Sequence, residues 1–112
     1  MDIETRLHPR ISVNWHAFIK TFQGSIAVKT KDMSVDGACI LYPADLELEK
    51  RFSIFFKPPE TKAIRVIAET VWLDKFSPEN KEPIRMGVRF LAISPEDQQF
   101  LETFIDMEKW LA

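Results

Sequence analysis

A chain of 112 residues, 46% hydrophobic and with only three glycines, is long enough for one compact domain with a real core and offers no composition shift that would divide it. Its formal charge of −2 lacks the basic excess with which a protein grips long nucleic acid through many phosphates. One cysteine, Cys39, excludes an internal disulfide, and no Cys/His cluster supplies a zinc site. The chain opens on Met1-Asp2-Ile3-Glu4-Thr5-Arg6 without an apolar leader and contains no run long enough to span a bilayer. A cytoplasmic, reducing location is expected.

The charge is uneven. Residues 1–31 carry five Lys/Arg against two acidic residues, and residues 32–112 carry ten against fifteen. An anionic ligand would meet the leading end first. There, Arg6-Leu7-His8-Pro9-Arg10 sets two arginines four positions apart in a segment that Pro9 keeps out of helix, so residues 1–10 are expected to form a flexible or extended arm. At full extension the two α-carbons stand up to roughly 13 Å apart, within reach of one dinucleotide-sized ligand.

From Ile11 to Ile19 apolar residues alternate (Ile11, Val13, Trp15, Ala17, Ile19), which predicts one half-buried strand. Period-two runs recur at 26–31, 52–57 and 84–90, with further β-rich runs at 37–42 and 63–74. On the longest, Ile64, Val66 and Trp72 share one face, with Arg65 and Glu69 on the other; Trp15 and Trp72 are expected in the core. Turns are expected at 23–25, 36–37, 42–45, 57–60 and 77–80. Six short strands joined by hairpin-length loops bury their apolar faces by curling into a small antiparallel barrel spanning 11–92, which also removes exposed edges. The period then changes. Ser94-Pro95-Glu96-Asp97 supplies an N-cap, a first-turn proline and acidic groups, and Phe100, Leu101, Phe104, Ile105 and Leu111 follow at helical spacing, predicting a helix over 94–111.

The second notable segment is Asp32-Met33-Ser34-Val35-Asp36-Gly37, between two predicted strands. An ionised Asp32 accepts hydrogen bonds, as from the donor groups on guanine's Watson–Crick edge. An arginine fork donates to guanine's O6/N7 acceptors or to phosphate oxygens, and adenine would mismatch it. Ser34 donates or accepts, and Gly37 permits a positive φ that brings backbone close to a ligand. The alternative for this stretch is an ordinary hairpin in which Asp32 and Ser34 satisfy their own backbone; for the arginines it is two solvated side chains.

Taken together, Arg6 with Arg10 and Asp32, Ser34 with Gly37 resemble the RxxxR and (D/N)xSxxG motifs of the PilZ domain, and the likeness runs over residues 6–112. Val71-Trp72, Gly87-Val88-Arg89-Phe90 and the helix entered at Ser94-Pro95 are further points of similarity, while Glu69 stands where family members often have a small residue. The resemblance implies a six-stranded β-barrel with a C-terminal helix, with cyclic di-GMP bound by Arg6, Arg10, Asp32, Ser34 and Gly37. It implies a receptor rather than an enzyme, with no cofactor, that signals to a protein effector in flagellar, pilus or polysaccharide-synthesis machinery. With five residues ahead of Arg6, that output is expected to pass through the surface of the domain itself.

Two rivals belong to other classes. One is a PilZ-like adaptor that binds only proteins, disfavoured by the two intact motifs. The other is a barrel for single-stranded nucleic acid, which wants aromatics on a basic strand face; here the strand aromatics mostly fall in the apolar rows. No nucleophile–base–orienter set or glycine-rich phosphate loop supports an enzyme. His8 and His16 lack a second metal ligand at suitable spacing, Cys39 fits a small hydrophobe within a strand, and Arg85 and Arg89 fit an exposed strand face.

Overall fold

The computed structural model describes residues 9–22, 24–42, 48–74 and 84–111. The elements in chain order are β1 (Ile11–Ser12), β2 (His16–Thr21), β3 (Gly24–Met33), β4 (Gly37–Tyr42), β5 (Arg51–Lys57), β6 (Ile64–Asp74), β7 (Ile84–Ile93) and α1 (Pro95–Leu111). Every strand pairing is antiparallel. Hydrogen bonding runs β3-β2-β5-β6-β7-β4 and returns from β4 to β3, closing a six-stranded barrel, with β1 as a seventh strand on the far end of β3. The predicted turns at 42–45 and 77–80 fall largely outside the described residues.

Period-two alternation puts Ala17, Ile19, Val28, Ile40, Ile54, Phe56, Val66, Met86 and Val88 inside the barrel. Burying each large side chain stabilises by about 1.5–3 kcal/mol. The predicted helix is present. At its start the Asp97 amide donates to Ser94 Oγ at 3.1 Å, as an N-cap serine requires. Leu101 and Ile105 are buried, and Phe104 sets its ring 5.2 Å from that of Trp15, so α1 is held by an apolar stripe packed on the barrel.

Two expectations are corrected, and a third holds with an exception. The strand predicted from Ile11 to Ile19 is two strands, although its alternation survives in the burial of Trp15, Ala17 and Ile19. Buried Thr30 explains the break: its hydroxyl accepts from the Trp15 amide (2.9 Å) and donates to the Val13 carbonyl (2.6 Å), taking over backbone groups that a ladder would otherwise pair. Trp72 is not core but 45% exposed. The β6–β7 register slips between Thr70 and Trp72, so Val71 is an extra residue and the alternation reverses after it. Trp72 then faces outward over Gly87, where the indole occupies the space a Cβ would need. Finally, Phe18 lies in the outward row of β2 with His16 and Lys20 and is 47% exposed, so an aromatic does occupy a basic strand face.

Thr30→Val keeps the shape of the side chain and strips a buried amide and a carbonyl of their partner. The expected cost is about 1–3 kcal/mol of unfolding free energy, measured by urea denaturation.

Candidate functional site

Asp32 owes its position to a bulge. Val28 and Thr30 point into the barrel, and strict alternation would send Asp32 inward after them. Instead the β3–β4 register shifts between Thr30 and Asp32, making Lys31 an extra residue. Met33 then takes the core position, fully buried, and Asp32 turns outward opposite Cys39. A carboxylate that would have been stranded in the core becomes a half-exposed acceptor.

β1 brings the arginine to it. Ile11 pairs with Met33 and Ser12 with Asp32, so Arg10 stands beside the end of β3 and its Nη1 donates to Asp32 Oδ1 at 2.7 Å. Both side chains are 29% exposed. One carboxylate oxygen and most of the guanidinium donors have no share in this bond.

The segment 34–37 is a clasp rather than a loose loop. The Ser34 amide donates to the Gly37 carbonyl (2.8 Å), and the Ser34 hydroxyl donates to Asp36 Oδ1 (2.6 Å), with the Gly37 carbonyl at 3.2 Å as a second acceptor. The Asp36 amide donates back to Ser34 Oγ at 3.3 Å. The Phe90 amide donates to the Asp36 carbonyl at 2.9 Å, tying the turn to β7. Ser34 is 1% exposed. The positive φ expected at Gly37 is not found; among described residues only Glu60 and Gly24 adopt one. Gly37 is needed for close approach, because a Cβ there would lie 2.6 Å from the Val88 carbonyl oxygen.

The structure thus places Arg10 and Asp32 in contact and sets Ser34 and Gly37 in the turn that follows. Arg6 and His8 lie outside the described residues. Chemically, the guanidinium of Arg10 can donate to an anionic or carbonyl oxygen, and the carboxylate of Asp32 can accept from adjacent N–H groups. Beneath them, the buried Cys39 thiol is pushed above its ordinary value, first by desolvation and then by the charge on Asp32, so it is held as the inert thiol. Among the described residues no group of three His, Cys, Asp or Glu is arranged to hold a metal ion.

One charged row was missed from sequence. Across the outer face Arg51 pairs in register with Glu69, Glu69 with Arg89, and Arg89 with Gly37. Glu69 lies covered by the two arginines, accepting a hydrogen bond from Arg89 Nη2 and lying 3.6 Å from Arg51 Nε. The Arg89 hydrogen bond holds the Glu69 carboxyl below its usual range, prevailing over the opposing desolvation, because the cover is arginine rather than apolar core. The signal was present: an acidic residue at 69, with arginines at 51 and 89 on neighbouring strands.

A depressed carboxyl stabilises the fold at pH values above its ordinary titration near 4.5 and loses that contribution as pH falls through the folded value. Glu69→Gln is therefore expected to lower the urea midpoint at neutral pH, with the gap from wild type closing in acid. Cys39 is expected to resist iodoacetamide at pH 8 in the folded chain and to react once urea unfolds it, as followed by mass spectrometry.

Residues 4–107 match the family model of the PilZ domain. No curated protein matches in sequence. Among solved structures, the Bacillus subtilis inhibitor of motility MotI/DgrA superposes with a TM-score of 0.80 at 17% identity, over 94% of this chain and 51% of that one. The PilZ domain of YcgR from Escherichia coli, solved with cyclic di-GMP, superposes at 0.72 with 21% identity, over 91% and 89%. The K. pneumonia MrkH–cyclic di-GMP complex gives 0.72 and 13%, over 89% and 50%. This chain spans about half the length of the MotI/DgrA and MrkH chains.

Proposed function

The chain belongs to the PilZ domain family, and from that premise we propose that it is a receptor for cyclic di-GMP that performs no chemistry on the ligand and relays its presence to a protein effector. The observation that carries this reading is the Arg10–Asp32 contact beside the 34–37 clasp. A donor fork and an acceptor, both half-exposed, stand where one guanine would satisfy the two together.

In this account Arg10 and Arg6 donate to phosphate oxygens or to guanine O6/N7, and Asp32 accepts from guanine's ring and amino N–H groups. Ser34 and Gly37 act through backbone placement, since the serine hydroxyl is already engaged with Asp36. The existing ion pair is a small obstacle. A half-exposed pair contributes about 0–1 kcal/mol, whereas each charge-assisted bond to ligand contributes about 1.5–3 kcal/mol, so recruiting either group to the dinucleotide is favourable. In the same account the segment ahead of Arg10 brings Arg6 to the ligand. The surface so formed is what an effector in flagellar, pilus or polysaccharide-synthesis machinery would recognise.

Calorimetric titration with cyclic di-GMP, with GTP and cyclic di-AMP as controls, tests the reading. Arg10→Ala and Asp32→Ala are each expected to weaken binding by about 10–100-fold with far-UV circular dichroism unchanged. Wild-type affinity in Arg10→Ala would contradict the assigned roles.

A further inference from the structure

The β2–β3 hairpin reaches past its neighbours. β5 leaves β2 at Ile19 and β4 joins β3 only at Lys29, so Lys20–Phe22 and Gly24–Ser25 run past the described residues of the strands beside them. The projection is braced by Thr21, whose hydroxyl donates to the Gly24 carbonyl at 2.9 Å, and by Gly24 at φ 130°. At its tip stands Phe22, 92% exposed. A large aromatic ring offered to water at the end of a braced hairpin gains nothing for the fold.

The wall behind the tip is cationic. Outward from β2 come Phe18 and Lys20; from β3, Lys29; from β5, Phe55 and Lys57. Phe18 and Phe55 are direct cross-strand partners, and His16 pairs with both Lys29 and Lys57. None of the outward residues on β2, on β3 through Lys29, or on β5 from Ser53 is acidic. From Phe22 to His16 this face runs roughly 20 Å along the strands. By contrast α1 carries five carboxylates against one lysine, within a chain of net −2. Positive charge is thus gathered around Phe18 and Phe22 although the molecule as a whole is acidic.

We propose that this hairpin and wall dock the domain on an anionic phospholipid surface, with Phe22 entering the headgroup layer and Lys20, Lys29 and Lys57 facing the lipid phosphates. An exposed aromatic at the head of a strand face that carries Lys20 beside it and Lys29 and Lys57 at its far end fits a broad, deformable, negatively charged plane. It does not fit single-stranded nucleic acid as well, because that ligand is held along a basic groove rather than on a convex tip. The association is peripheral: among the described residues no helix is long and apolar enough to cross a membrane. The proposal goes beyond cyclic di-GMP binding and rests on different residues.

The test is co-sedimentation of the full chain with vesicles of phosphatidylcholine alone or with roughly one third phosphatidylglycerol. Binding is expected only to the anionic vesicles. Phe22→Ser should weaken it about tenfold or more, and each of Lys20→Glu and Lys29→Glu at least about fivefold. All three substitutions are on exposed side chains, circular dichroism checks folding, and cyclic di-GMP titration of the same variants should match wild type. The proposal is overturned by equal sedimentation with both vesicle types, by no sedimentation with either, or by variants that sediment like wild type. It is also overturned if an oligothymidylate competes the protein off anionic vesicles and binds it more tightly than they do.

Discussion

The rest of the structure depends on the extra residue at Lys31. β3 enters the barrel with Val28 and Thr30 inward, and its next inward position by simple alternation would be an aspartate. An ionised carboxylate in an apolar interior costs far more than the fold has to spend. The bulge resolves this by reversing the parity of the strand, so that Met33 fills the core and Asp32 emerges. Once Asp32 is outside, β1 can lie along the end of β3, and Arg10 has an acceptor at its side. The same reversal delivers the chain to the Ser34–Gly37 clasp, which hands β3 over to β4 and lets the barrel close on β7.

The clasp is over-determined in a way that suits a binding surface. Ser34 and Asp36 satisfy one another, the Asp36 carbonyl is taken by Phe90, and Gly37 approaches the Val88 carbonyl too closely for a side chain. A turn fixed from three directions does not have to be ordered when a ligand arrives, which lowers the entropic cost of binding. One step along the same face, Arg51, Glu69 and Arg89 form a second charged row whose members satisfy one another. The two rows differ in cover: Glu69 is enclosed by its arginines, whereas the Arg10–Asp32 pair is half-exposed and open to competition.

Most of the fold was legible because it is written in period two and then in period 3.6. The barrel strands, the Ser94 cap and the apolar stripe of α1 all follow from residue spacing. What escaped were places where the period breaks. The charged doublet Lys31-Asp32 between Thr30 and Met33 violates alternation and could have signalled the bulge; Val71-Trp72 is the same kind of break, and reading through it placed Trp72 in the core. Thr30 interrupts β1 from β2 through contacts fifteen and seventeen positions away, which no local pattern contains. For the site, side-chain chemistry pointed to Arg10 and Asp32, and the fold sets them in contact. The backbone role of Gly37 was misjudged because crowding from β7 is a tertiary fact.

Nuclear magnetic resonance of the full chain titrated with cyclic di-GMP tests the central claim most directly. The account predicts that amide shifts at saturation concentrate in residues 9–12 and 31–38, with the Arg10 and Asp32 side-chain signals among the largest, and leave the 20–25 hairpin and α1 close to their free positions. Saturable shifts confined to those latter elements, with 31–38 unmoved, would contradict it.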